Sequence, residues 1–276
     1  MTDASLLSDL SSPQPVLLRS VALGAGRAKV CVPLVRPDAA GLRDAVAALP
    51  LEVLDLVELR VDHLDGIERF GADATVATGV VTALAALREA LPDGVPVLAT
   101  FRSRQEGGRH ALPAEAYGDL LELLVGSGAC DAVDVEMFTE PSTLARVVAR
   151  AHAAEVPVVM SSHDFAGTPP QAEIVSRLRT QQNLGADVVK IAVMPRTARD
   201  VLTLLAATEE FCSEHATRPA ITMAMGPLGT ASRLVGESFG SCLSFGAAGA
   251  TSAPGQVDAR ELRTVIDVLH AASLPR

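Results

Sequence analysis

Positive charge on this chain is almost never carried by lysine: of 23 basic residues only Lys29 and Lys190 are lysines, and the rest are arginines. Basic charge is scarce overall, because 33 acidic residues leave a formal net charge of -10. That balance excludes nucleic acid or an anionic membrane as a general partner and leaves any anionic small substrate to local arginines. No apolar run approaches the ~20 uninterrupted residues of a membrane span. The start, Met1–Pro15, lacks the basic beginning and apolar middle of a signal peptide and reads as a short, loosely ordered tail. Cysteines are few and scattered: Cys31, Cys130, Cys212 and Cys242 show neither metal-ligand spacing nor a dense disulfide framework. A reducing, cytoplasmic setting is expected, with no metal site.

What is present is a long, apolar, ordinary globular sequence: 276 residues at 49% hydrophobic content supply a substantial core. Apolar, β-branched stretches alternate with helical segments, the pattern of βαβ units with parallel strands. Eight candidate strands are read at Val30–Leu34, Val57–Asp62, Val97–Arg102, Ala132–Glu136, Pro157–His163, Val188–Val193, Ala220–Met225 and Ser241–Gly246. Their starts lie about 20 to 40 residues apart, which suits eight repeats of an α/β (β/α)8 TIM barrel. Pro37-Asp38 opens the first helix, Pro113 with Glu115 opens the third, Gly126-Ser127-Gly128 closes that one, and Asp258 caps the last. An open doubly wound sheet is the rival, but it usually carries a Gly-rich turn after its first strand, where this chain has Val35-Arg36-Pro37-Asp38. Val16–Lys29, with Gly24-Ala25-Gly26, is expected to form a hairpin that closes the N-terminal end of the barrel. The expected organisation is a tail over residues 1–15 and a single catalytic barrel domain over 16–276.

In a barrel strand, residues two apart share a face, and inward positions near the C-terminal ends build the site. Glu58, Arg60 and Asp62 alternate with Val57, Leu59 and Val61, and Asp134 and Glu136 alternate with Val133, Val135 and Met137. On an open sheet such a face is merely solvated, whereas in a closed barrel it points inward and binds something polar. Lys190 sits within the apolar run Asp187-Val188-Val189-Lys190-Ile191-Ala192-Val193. A desolvated lysine loses its proton near neutral pH and can attack a carbonyl to form a Schiff base; the alternative is a stem that carries the ammonium to solvent. If it faces inward, Val188 and Ala192 go with it. His163 ends the neighbouring strand, so an imidazole and an amine meet over the barrel mouth; either it moves protons there or it is simply hydrogen-bonded. Met223 and Met225 share a face and either pack against an organic substrate or fill core. Phe101-Arg102-Ser103-Arg104-Gln105-Glu106-Gly107-Gly108 follows the third strand as a charged loop on the same rim, and Ser252-Ala253-Pro254-Gly255-Gln256 follows the eighth as a lid-like turn.

Taken together, these segments resemble the type I 3-dehydroquinate dehydratases, the Schiff-base-forming class of the shikimate pathway. The resemblance runs from Lys29-Val30-Cys31-Val32-Pro33-Leu34 through Glu58-Leu59-Arg60-Val61-Asp62-His63, Thr100-Phe101-Arg102, Glu106-Gly107-Gly108 and Asp134-Val135-Glu136. It continues through Ser161-Ser162-His163-Asp164, Val189-Lys190-Ile191-Ala192, Ile221 to Arg233, Phe239-Gly240-Ser241 and Ser252 to Gln256. It implies that Lys190 forms the imine, that His163 transfers protons and that Glu106 orients it. It further implies that Glu58, Arg60 and Arg102 hold ring hydroxyls and that Arg233 holds the substrate carboxylate. Met223, Met225 and Phe245 would line the apolar side, while Ser252 and Gln256 close over the ligand. The implied protein is a cofactor-free hydro-lyase of aromatic amino-acid biosynthesis, homodimeric, acting on 3-dehydroquinate. One departure is Ser162 before His163, where the family usually carries Asn, Tyr or His. An imine-forming class I aldolase and a non-catalytic ligand-binding barrel are the alternatives; for the former, Gly246-Ala247-Ala248-Gly249 makes a poor phosphate turn.

Overall fold

A computed structural model of the chain describes residues 13–249 and 255–274. Residues 1–12 of the expected tail, and Ser252, lie outside the described residues. The chain opens with β1 (Val16–Leu18) and β2 (Val21–Leu23), which pair antiparallel as the expected hairpin. Strands and helices then alternate: β3 (Lys29–Leu34), α1 (Ala39–Ala47), β4 (Leu56–Arg60), α2 (Ala74–Ala90), β5 (Val97–Thr100), α3 (Ala114–Gly126), β6 (Ala132–Glu136) and α4 (Pro141–Ala153). The second half repeats the pattern with β7 (Val158–Asp164), α5 (Gln171–Asn183), β8 (Val188–Val193), α6 (Ala198–Glu214), β9 (Ala220–Ala224), α7 (Gly226–Val235), β10 (Leu243–Ala247), the short β11 (Val257–Asp258) and α8 (Ala259–Ser273).

The sheet runs parallel in the order β10-β3-β4-β5-β6-β7-β8-β9. It closes where Ala220 bridges Ser241 and the Cys242 N–H donates to the Ala220 carbonyl at 2.8 Å. At this seam the Ser241 hydroxyl accepts from the Thr222 N–H at 3.0 Å, a side chain standing in for part of a ladder. The eighth strand consequently begins at Leu243 rather than at Ser241.

Strand alternation divides the core in two, as the period predicts. Val57, Leu59, Val133, Val135, Val189, Ile191 and Val193 face the helices in the larger apolar cluster. Leu56, Leu98, Ala132, Val159, Val188 and Ile221 fill the barrel interior together with Val16, Leu18 and Leu23 of the hairpin. The hairpin therefore plugs the N-terminal end. Arg19 ties its turn down, donating to Asp131 at 2.6 Å and to the Asp93 carbonyl at 2.9 Å, just ahead of β6 and β5. The helix starts follow from their caps: Asp38 accepts from the Gly41 N–H, Asp258 from the Arg260 N–H, and Thr197 with Asp200 forms a capping box on α6.

Two strands end earlier than their alternation suggests. β4 stops at Arg60 because Val61–His63 turns into one 3-10 turn, in which both Asp62 oxygens accept from the Arg60 guanidinium at 2.8 Å. Asp62 is thus a partner of the site's arginine rather than a third inward strand position. β5 stops at Thr100, and Ser103 caps a second 3-10 turn that carries Glu106.

Candidate active site

The inward faces of β4 to β10 leave a cavity of about 280 Å³ bordered by Glu58, Arg60, Arg102, Glu106, His163, Lys190, Met223, Met225, Arg233, Phe245 and Gln256. Every expected site residue within the described part of the chain reaches this one space. The charged loop after β5 is divided, with Arg102 and Glu106 buried and Arg104 and Gln105 exposed to solvent. Among the described residues no helix is long and apolar enough to cross a membrane, and no group of three or more His, Cys, Asp or Glu is arranged to hold a metal ion.

Lys190 is 3% exposed, which rules out the solvent-seeking alternative. Its Nζ donates to Asp134 at 2.9 Å, lies 3.7 Å from a Glu58 oxygen and stands 4.8 Å from the centre of the Phe245 ring. Burial of the amine is therefore matched by two acidic side chains and an aromatic face. The main chain of Lys190 is also held. The fully buried Gln181 of α5 accepts from the Lys190 N–H and donates to the Lys190 carbonyl, each at 2.9 Å.

Asp134 is the hub beneath the amine. It accepts from Arg102 at 2.7 Å and from the Ser161 hydroxyl at 2.6 Å. Burial opposes its charge, but Arg102 and Lys190 outweigh that penalty and hold the carboxyl well below the usual carboxylate range. Arg102 also donates to Glu136 at 2.8 Å and reaches Glu106 at 3.4 Å. Its primary partners are thus the protein's own carboxylates.

His163 faces the cavity from β7, and its Nδ1 lies 2.8 Å from a Glu106 oxygen that also accepts the His163 backbone N–H at 3.1 Å. Burial, reinforced by Arg102 and Lys190 and opposed by Asp134, holds the imidazole well below its ordinary value. It is neutral at pH 7. Burial, held back by Arg102 and reinforced by Glu136 and Asp134, pushes Glu106 up to about 8. When Glu106 is ionised it accepts the Nδ1 proton, which leaves Nε2 with a lone pair for a base. Ser162 alternates to the outside of the barrel, where its buried hydroxyl has no hydrogen-bond partner. The side chain in contact with the imidazole is therefore Glu106, and not the residue before the histidine.

The rim is shaped by two glycines. Gly107, at φ +90°, ends the 3-10 turn, and a Cβ there would lie 2.2 Å from the Phe165 ring, so the aromatic wall beside His163 needs glycine. Gly255, at φ +77°, would put a Cβ 2.2 Å from the Gly226 carbonyl, so this close crossing over the start of α7 sets Gln256 at the cavity. Arg233 reaches in from α7, 3.6 Å from the Met223 sulfur, and burial draws its guanidinium down to about 10, still protonated at neutral pH.

Three residues that shape the site carry little signal in the linear order. Asp134 was visible as an inward charge without a task, and Phe165 follows His163-Asp164 closely enough to have been found. Gln181 had no signal, because a glutamine in mid-helix reads as surface.

The profile of the type I 3-dehydroquinase family matches residues 30–273. A 3-dehydroquinate dehydratase of Listeria monocytogenes serotype 4b is 48% identical over 255 residues, covering 92% of this chain and 98% of its own. One from Shigella flexneri serotype 5b is 45% identical over 257 residues, covering 93% and 99%. Among solved structures, the type I 3-dehydroquinate dehydratase of Clostridium difficile with covalently modified comenic acid superposes with a TM-score of 0.87 at 41% identity, covering 94% of this chain and 99% of that one.

Proposed function

The chain belongs to the type I 3-dehydroquinase family, whose members dehydrate 3-dehydroquinate, and from that premise we propose that Lys190 carries the reaction through an imine. The observation that carries this reading is a buried primary amine in the same cavity as a neutral imidazole and an arginine suited to a carboxylate. The Lys190 amine, once its proton has left, attacks the C3 ketone, and loss of water from the carbinolamine gives the iminium ion. The iminium acidifies the C2 proton, which His163 removes at Nε2 to leave an enamine. The enamine expels the C1 hydroxyl as His163 returns that proton to it, so water leaves and the imidazole is neutral again. A second water hydrolyses the product imine and frees 3-dehydroshikimate and Lys190.

In this reading Arg233 takes the substrate carboxylate, a match of planar guanidinium to planar anion. Glu58 and Arg60 hold ring hydroxyls, and Arg102 lines the same space while holding Asp134, Glu136 and Glu106 in place. Met223, Met225 and Phe245 supply the apolar wall, and Gln256 closes the ring from the side with Ser252. Carried over from the family resemblance are a place in the shikimate pathway, a cytoplasmic setting, one barrel as the catalytic domain and assembly as a homodimer. Sedimentation equilibrium tests the last of these.

Borohydride added with 3-dehydroquinate is expected to fix a covalent adduct on Lys190, located by peptide mass spectrometry. Lys190→Ala abolishes both adduct and turnover. A fully active alanine variant would refute the mechanism.

A further inference from the structure

The substrate cavity is not the only space that touches the proton-transfer pair. A second cavity, of about 460 Å³, lies between the ends of β5, β6 and β7, and His163 and Glu106 border both. The pair is a partition with one space on either side. The wall of the second space is more polar than apolar, with Ser103, Glu136 and Tyr117 beside Phe101, Leu112 and Phe138, and the Tyr117 hydroxyl accepts the Glu136 N–H at 2.9 Å and has its own hydrogen to donate. Its rim is wet, since Gln105, Ala114 and Glu140 are exposed. Water occupies about 30 Å³ per molecule in the liquid and needs polar partners, so a polar space of this size, open at its rim, fills with several waters.

We propose that this second cavity is a water-filled port through which the Glu106–His163 pair exchanges protons with bulk solvent while substrate fills the first cavity. The proposal rests on the lysine-imine reading, in which His163 changes protonation between steps with the substrate ring against Nε2. A proton entering by the port lands on Glu106 or, through it, on Nδ1, and it leaves the same way; no other bond is made or broken. The charged groups facing Glu106 are Arg102 beyond β5, Asp134 and Glu136 on β6, and His163 itself on β7. Arg102 favours the carboxylate form, and the two acidic neighbours oppose it. Water in the port favours the carboxylate as well, so replacing that water with hydrocarbon moves the titration of the pair to higher pH.

The test plugs the port from two positions that take no part in the chemistry: Ala114→Trp, from the exposed start of α3, and Thr139→Trp, from the turn after β6. The pH profile of kcat is compared with that of the unsubstituted enzyme. The acid limb is expected to move up by about half a pH unit or more in at least one plug, with plateau kcat and the borohydride adduct retained. The same plug in a Glu106→Gln background, which has no such carboxyl to titrate, leaves the profile unmoved. Two profiles that superimpose on the wild type, a uniform loss at every pH, or a shift that persists with Glu106→Gln each overturn the port and leave the imine reading standing. Absence of the borohydride adduct in the unsubstituted enzyme would overturn the imine reading instead.

Discussion

Arg102 is the cation on which three buried carboxylates converge, Asp134 at 2.7 Å, Glu136 at 2.8 Å and Glu106 at 3.4 Å, and replacing it with methionine isolates what that charge contributes. Arg102→Met keeps much of the stem's volume while stripping the charge and every donor. Removing one partner from a buried ionic network costs about 3–5 kcal/mol, because the remaining charges stay buried without compensation. At about 2–4 °C of Tm per kcal/mol for a chain of this size, the expected loss is on the order of 10 °C near neutral pH. The loss should also depend on pH, with a definite sign. In the wild type Asp134 is held below its ordinary value, so it contributes stability above the unfolded carboxylate value of 3.8, and that contribution is lost as pH falls through the lower folded one. The variant forfeits that contribution. Glu106, already raised to about 8, rises further without Arg102, and a carboxyl raised in the folded state costs stability as pH increases. The deficit should therefore shrink as pH falls below 3.8, stay level through the middle range and grow above about 8, where only the wild-type Glu106 ionises. Paired thermal melts of variant and wild type from about pH 2.5 to about pH 9.5, a range that spans both windows, measure it. A deficit that is constant across that range, or one below about 1 kcal/mol throughout, would show that the cluster is energetically no more than a surface ion pair, contrary to its burial.

Three further outcomes follow from the site and its supports. In wild type, kcat/KM should rise as Glu106 ionises near its value of about 8, and Glu106→Gln should erase that limb while lowering the plateau by about 10–100-fold; a limb that persists in the variant assigns it to another group. Gln181→Met leaves the Lys190 N–H and carbonyl without their side-chain partners, which should cost about 2–4 kcal/mol in a denaturant melt and slow adduct formation in quenched borohydride trapping. Wild-type values in both would refute the clamp. Leu18→Ala removes a buried side chain from the plug, with an expected loss of about 2–4 kcal/mol and an unaltered kcat; a fall in kcat without loss of stability would contradict the separation of plug from site.

Most of the barrel could be read from the order of residues because barrel strands obey a simple period. Ala132–Glu136 and Val188–Val193 coincide with their observed strands, and the inward set of the latter, Val188, Lys190 and Ala192, is the one that alternation selects. The errors lie at strand ends, where a side chain competes with the ladder. Asp62 leaves the strand period to receive Arg60, and Ser241 leaves β10 to stitch the seam; neither tendency shows in hydrophobic pattern. The meeting of Lys190 and His163 at one cavity was legible from residue type and position, whereas the electrostatics were not. Burial of Lys190 follows from its apolar run, but the acidic side chains of Asp134 and Glu58 reach its amine from strands distant in sequence, and no linear pattern gives those distances. Gly246, considered as part of a phosphate turn, instead packs against α8, where a Cβ would sit 2.9 Å from the Ala259 Cα. That is a packing glycine, which removes the feature the aldolase alternative needed.

The seam between β9 and β10 has a consequence for how the molecule breathes. Elsewhere neighbouring strands are joined by runs of consecutive partners, while here one bridge and the Ser241 hydroxyl make the join. Lys190 precedes the seam on β8, and Gln256 follows it beyond β10, and both border the cavity, so on the proposed reading a substrate tethered to one and held by the other would span the gap like a clasp. Occupancy and closure are then thermodynamically linked, and the amides of Thr222 and Cys242 become reporters of both. Their hydrogen exchange should slow when the site is filled, more than that of amides between β4 and β5, which no such clasp crosses.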